Sequence, residues 1–160
     1  MAYISKYISL KEYIPSGNPE LKHFEFKKEN IAFNISKDVC VKNEWISVDP
    51  YMRARMTERK NYKPPFELGK PMEGSAIGKV IESKASEFSP GDIVRSDYGW
   101  RDLFVASSKD LIKINPIDVP IQTYLGPLGF TGHTAYIGLF RIGNLKKGET
   151  VLVSSAAGSV

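Results

Sequence analysis

Up to about residue 120 the chain is a succession of strand-length runs, each cut off by a turn, and that punctuation limits its fold more than any other feature. Residues 3–14 alternate loosely between polar and apolar side chains, and Pro15-Ser16-Gly17-Asn18-Pro19 is a turn cluster. Phe24 and Phe26 then fall on one strand face, with His23, Glu25 and Lys27 on the other, so His23 reads as a surface residue. Residues 39–48 form a stronger, β-branched run that Pro50 closes, because proline has no N–H to give to a ladder. Cys40 lies inside that run and reads as a small buried hydrophobe, with no neighbour that would make it a nucleophile. Residues 72–82 carry Gly74 and Gly78, which predict a bulge or a close approach of backbones. Ser89-Pro90-Gly91-Asp92 is a turn, and strand signals follow at 93–95, 100–106 and 111–114. Short strands so closely spaced imply a barrel or a sandwich.

The character changes after Pro120. Ala135, Tyr136, Leu139 and Phe140 are apolar at helical spacing within 131–142, with Thr131 placed to cap the start and Gly143-Asn144 the end. After a turn at 146–149, residues 150–154 form an apolar run suited to a strand buried on both faces. Small residues follow: Ser155-Ala156-Ala157-Gly158-Ser159-Val160. A strand ending this way is how a dinucleotide-binding unit opens, since small residues let a pyrophosphate reach the backbone. Only half of that fingerprint is present, and a plain turn after a strand reads equally well. The shift from strands to helix, strand and small-residue turn sets a domain boundary near residue 120.

Composition narrows the field. With 42% hydrophobic and 25% charged residues the chain has an ordinary globular balance. One cysteine excludes an intramolecular disulfide framework, and with only two histidines beside it a four-ligand zinc site is close to excluded. No run approaches the roughly 20 apolar residues that cross a bilayer. The N-terminus lacks a continuous apolar stretch of signal-peptide type, so a soluble, cytoplasmic protein with no membrane partner is expected. The net charge of +4 is concentrated in Arg53, Arg55, Arg59, Lys60 and Lys63, interleaved with Tyr51, Tyr62 and Phe66. This run reads first as a solvated loop and second as a contact for a phosphate-bearing small ligand; nucleic acid is not the expected partner.

Several segments together carry a resemblance. They are Ser47-Val48-Asp49-Pro50-Tyr51-Met52-Arg53, Met72-Glu73-Gly74 with Gly78-Lys79-Val80, Gly91-Asp92-Ile93-Val94, and Tyr98-Gly99-Trp100. Leu125-Gly126, Gly129-Phe130-Thr131-Gly132-His133-Thr134-Ala135-Tyr136 and Gly148-Glu149-Thr150-Val151 continue the series to Val160. In this order and spacing the chain resembles the zinc-independent, NADP-dependent branch of the medium-chain dehydrogenases/reductases: the prostaglandin reductases, leukotriene dehydrogenases and alkenal double-bond reductases. The resemblance implies a mainly β fold, a GroES-like partly open barrel over 1–120 that forms a catalytic domain. Residues 121–160 would then be the first helix and strand of a truncated NADP-binding Rossmann domain. A full member is roughly twice this length, so an N-terminal fragment, inactive by itself, of a homodimer is expected. Zinc alcohol dehydrogenases have a histidine before the Glu-Gly pair, where Met72 stands here, and a cysteine near Ser47; neither ligand is present. His133 stands where relatives usually carry leucine and reads as a packing change.

The resemblance also implies a chemistry. NADPH gives hydride to the β-carbon of an α,β-unsaturated aldehyde or ketone, or to a quinone, without metal. Negative charge then develops on the carbonyl oxygen, and a hydrogen-bond donor aimed there accelerates the step. A tyrosine suits this task, because its ordinary pKa of about 10 keeps it protonated at neutral pH. Tyr51 is the catalytic candidate. Pro50 and Tyr51 should face the cofactor cleft, and Gly158, Ser159 and Val160 the pyrophosphate. Tyr98 and Trp100 either wall the substrate pocket or pack in the core. The alternative function is a non-catalytic GroES-like binding module.

Overall fold

The computed structural model describes residues 2–33, 38–116, 118–156, 158 and 160. Their contacts divide the chain into two compact units, Met1–Ile117 and Asp118–Val160. The first unit is mainly β, as expected. Strands β1 (Ala2–Leu10) and β2 (Phe24–Ala32) form an antiparallel ribbon, with Ile8 opposite Phe26 and Leu10 opposite Phe24. Strands β3 (Asp38–Ile46), β4 (Ala76–Ser83), β5 (Ile93–Ser96), β6 (Leu103–Ser107) and β7 (Ile112–Ile114) form one antiparallel sheet in the order β6-β3-β4-β5-β7. Its edge strands β6 and β7 are not paired to each other, so the sheet is only partly closed. The ribbon is tied to the loops beside it by Ile8 N–H to Trp100 O (2.9 Å), Met72 N–H to Ile8 O (3.0 Å) and Asp102 N–H to Lys6 O (2.9 Å).

The β-branched run read from the sequence is the buried middle of this sheet. Val39 and Val41 pack with Val80, Val94, Phe88, Phe104 and Leu111 in one core cluster. Burying each such side chain contributes about 1.5–3 kcal/mol. Cys40 is fully buried beside them. Burial first, and the charge on Glu82 second, push its thiol up to about 11, so it is held as a thiol and fills space. The register between β3 and β4 shifts between Cys40 and Val41 and again between Asn43 and Trp45. Gly78 lies opposite Asn43 between these bulges, where a Cβ would stand 2.5 Å from Val41 Cγ1 and 2.7 Å from Lys42 O. Only glycine lets the two backbones close. A second cluster (Leu10, Ile14, Met52, Met56, Phe66 and Met72) lies against the short helix α1 (Tyr51–Arg55).

The second unit contains α2 (Phe130–Tyr136) and a π-helical turn, Ile137–Ile142, that ends at Gly143. Asn144 follows at φ 51°, the left-handed stop the sequence predicts. Two expectations are corrected here. Gly129 is the N-cap, while Thr131 sits inside the first turn and donates from Oγ1 to Gly126 O at 3.0 Å. The apolar run at 150–154 is not a strand: Val151, Leu152 and Val153 are 43, 93 and 54% exposed. A strand needs a neighbour for its N–H and C=O groups, and none of the described residues supplies one.

Gly78→Ala is expected to lower stability by about 2 kcal/mol through overpacking against Val41 and Lys42. Urea denaturation measures it, and an unchanged midpoint would show that β4 can draw back from β3 at no cost.

Candidate functional site

The site begins where β3 turns into helix. Ser47 Oγ donates to Asp49 Oδ2 at 2.8 Å, Met52 N–H to Asp49 O at 3.0 Å, and Pro50 sits at φ −56°, ψ −33°. A proline fixed at that φ suits a helix start, where its missing N–H costs nothing. Tyr51 is therefore the first residue of α1, half-buried. Sequence patterning reads the basic stretch after it as a solvated loop, and for one of its cations this is corrected. The Arg55 side chain is only 5% exposed, and its Nη2 pairs with Glu73 Oε2 at 2.8 Å. Its Nε donates to Pro64 O at 2.8 Å, and the guanidinium lies 4.1 Å from the Phe66 ring centroid. Arg59, Lys60 and Lys63 are exposed. What separates Arg55 from them is that its helix turn also buries Met52 and Met56, so its stem enters the second cluster and its charge has to be met inside.

The opposite wall is the loop 98–101. Gly99 N–H donates to Gly74 O at 2.9 Å, and a Cβ on Gly99 would lie 2.8 Å from that same oxygen, so the two segments touch backbone to backbone. Trp100 takes φ 56°, a left-handed conformation that costs a bulky residue about 1–3 kcal/mol. Its hold on that geometry comes from β3. Asn43 Nδ2 donates to Tyr98 O (2.8 Å) and Arg101 O (2.9 Å), and Asn43 N–H donates to Asp102 O (2.8 Å).

Between these walls lies a cavity of about 550 Å³. Tyr51 and Tyr98 both line it, whereas Trp100 does not; Trp100 packs against the second core cluster, the packing alternative. Pro50 is not among the lining residues either. The two tyrosines differ in what their hydroxyls do. Tyr98 stacks on Phe104 (ring centroids 4.6 Å apart, 5° between planes) and donates from its hydroxyl to Asp110 Oδ2 at 3.2 Å. The Tyr51 hydroxyl has no hydrogen-bond partner among the described residues, and Lys63 Nζ stands 5.5 Å from its ring centroid. Burial raises the pKa of Tyr51, Asp49 adds to the rise and Arg55 opposes it. Tyr98 is raised by burial and by Asp110. Both remain phenols at neutral pH.

In the second unit Gly158 N–H donates to Ser155 O at 2.8 Å, Val160 is 60% exposed, and Ser159 lies outside the described residues. His133 is exposed on α2, and His23 accepts a hydrogen bond at Nδ1 from Glu20 N–H (2.8 Å) at the surface. Among the described residues no group of three or more His, Cys, Asp or Glu side chains is placed to hold a metal ion.

Residues 6–114 match the family model described as the N-terminal domain of oxidoreductase. The chain belongs to this family. Within it, the relatives are the NADP-dependent medium-chain dehydrogenases/reductases. A 2-alkenal reductase (NADP⁺-dependent) of Nicotiana tabacum is 40% identical over 161 residues, covering 98% of this chain and 47% of that protein. An NADPH-dependent curcumin reductase of Escherichia coli is 36% identical over 146 residues, covering 91% of this chain and 42% of the reductase. Among solved structures, CurA from Vibrio vulnificus in complex with NADPH superposes with a TM-score of 0.86 at 30% identity, over 96% of this chain and 45% of CurA. The chain thus spans just under half the length of these relatives, whose N-terminal domains are GroES-like.

Asn43, Arg55, Glu73, Arg101 and Asp110 complete the cavity's framework, and sequence patterning singles out only Arg55 among them, in the wrong role. One signal for Asn43 was available: an asparagine inside a β-branched run is of a type that strands avoid. Asn43→Ala is expected to leave the Tyr98 and Arg101 carbonyls unpaired and to cost about 2 kcal/mol. Thermal denaturation measures this, together with loss of near-ultraviolet circular dichroism from Tyr98 and Trp100; a variant with the parent's midpoint and spectrum would mean the loop holds itself.

Proposed function

We propose that this chain is the catalytic-domain part of an NADP-dependent, zinc-independent reductase that saturates the C=C bond of α,β-unsaturated aldehydes and ketones, or reduces quinones. The observation that carries the proposal is the uncommitted, protonated hydroxyl of Tyr51 on the wall of a cavity whose other tyrosine is already tied to Asp110. The relatives named alkenal reductase and curcumin reductase support the substrate class.

A cavity of about 550 Å³ is in the size range of small-ligand sites and fits a nicotinamide with a small enone. Tyr51, on the cavity wall, would stand against the nicotinamide end. When bound, NADPH supplies the hydride. Tyr51 donates a hydrogen bond to the substrate carbonyl oxygen, and that bond strengthens as negative charge gathers there. Its raised pKa favours the neutral phenol, so the donor persists through neutral and mildly alkaline pH and is lost only above the ordinary tyrosine value of about 10. Tyr98 serves as a fixed wall, its ring clamped on Phe104 and its hydroxyl on Asp110.

NADPH consumption by the full-length protein with simple 2-alkenals tests the reading. Tyr51→Phe is expected to lower kcat about a hundredfold, with a smaller change in KM. The Tyr51-dependent part of the rate should be flat from pH 7 to about pH 9. An unchanged Tyr51→Phe rate removes Tyr51 from the chemistry, and no NADPH consumption at all leaves a binding module. Exhaustive treatment with a chelator is expected to leave the rate unaltered; a loss restored by zinc would refute zinc independence.

A further inference from the structure

The charged groups on the cavity wall can be paired off one by one. Glu73 is taken by Arg55 at 2.8 Å. Asp97 is taken by Arg95 at 3.9 Å and by the Ser75 hydroxyl at 3.5 Å. Asp110 accepts from Tyr98 at 3.2 Å. Two cations are left, Arg101 and Lys63, and neither forms an ion pair with a carboxylate of the described residues.

Arg101 is unusually well fixed for a residue with no ion pair among the described residues. Its carbonyl accepts from Asn43 at 2.9 Å, its backbone bridges Tyr7, and its Nε donates to Gly99 O at 3.2 Å. Its guanidinium carbon lies 5.3 Å from the Tyr98 ring centroid. Nε is therefore used within the loop, while the Nη groups have no acceptor among the described residues and belong to a side chain that lines the cavity. A half-buried, immobilised guanidinium with a free two-nitrogen edge has its desolvation only partly offset by the Glu29 and Glu73 charges and the Tyr98 ring, and the acceptor that matches that edge is a planar or tetrahedral oxyanion. Burial lowers the pKa of Arg101, opposed by Glu29, Tyr98 and Glu73, yet from so high an ordinary value the group stays charged.

We propose that Arg101, with Lys63 as the outer partner, forms an oxyanion-binding edge in this cavity that receives a carboxylate or phosphate group of the bound ligand. The oxyanion comes either from the substrate, as a carboxylate remote from its reacting double bond, or from a phosphate of the cofactor. Assignment to the substrate rests on the reductase reading; the binding itself does not.

The test is calorimetric, on the full-length protein, with four probes: NADPH, inorganic phosphate, an enone bearing a terminal carboxylate, and the methyl ester of that enone. Arg101→Met is expected to weaken one oxyanion probe by about ten- to a hundredfold while the ester is unaffected, and Arg101→Lys to lose less. A loss confined to the carboxylated enone assigns the edge to the substrate. A loss for NADPH and inorganic phosphate assigns it to the cofactor. Equal affinity of parent and Arg101→Met for all four, or equal losses for acid and ester, overturns the proposal. Where Arg101→Met fails to fold, Arg101→Gln and Lys63→Met carry the same comparison. Binding of NADPH and the acid without any turnover would sink the reductase reading and leave this one standing.

Discussion

The carboxamide of Asn43 is the contact on which the cavity depends. It projects from β3, which is paired on both sides in the sheet, and donates to two carbonyls of the loop 98–101. Together with the bond from Ile8 N–H to Trp100 O, those bonds offset the left-handed turn at Trp100. With them the loop presses its glycine on Gly74 and presents Tyr98 and Arg101 to the cavity. The rigidity of the wall is thus borrowed from the valine core beneath β3, since a carboxamide can hold a loop only as firmly as its own strand is held.

The facing wall is built by a different device. There the strand gives way to helix through Pro50, and the short helix is anchored by burying methionines and a paired arginine rather than by its own hydrogen bonds, which are too few to stabilise five residues alone. Arg55 does two jobs: its stem fills the second cluster, and its charge, set against Glu73 and the Phe66 face, keeps α1 in register with the loop after it. The consequence for chemistry is that two tyrosines of similar exposure end up unlike each other. One hydroxyl is bound to Asp110, the other has no partner among the described residues, and that difference comes from a neighbour twelve residues on from Tyr98 rather than from the tyrosines themselves.

Much of the architecture was legible in the order of residues. The β-branched run at 39–48, the stop at Pro50, the tight place at Gly78 and the inert Cys40 follow from local chemistry: branching, a missing N–H, a missing Cβ, the absence of a base. Tyr51 could be picked out as a site candidate from its motif. The burial of Arg55 could not, because a run of basic residues does not say which stem the chain will fold over. Alternation puts Phe24 and Phe26 on one strand face, yet Phe26 is 61% exposed, since alternation predicts faces and not what covers them. The apolar residues at 151–153 have strand composition without a strand's partner.

The sequence by itself therefore determined the strands, the turns and the chemical types available to the site, because φ preferences, side-chain branching and period-two alternation act over a few residues. Tertiary structure alone decided which tyrosine hydroxyl is free, which arginine is paired and which is left facing the cavity. Those outcomes depend on contacts between residues 12 to 58 positions apart, Tyr98 with Asp110, Arg55 with Glu73 and Asn43 with Arg101, and no local rule reaches across such distances.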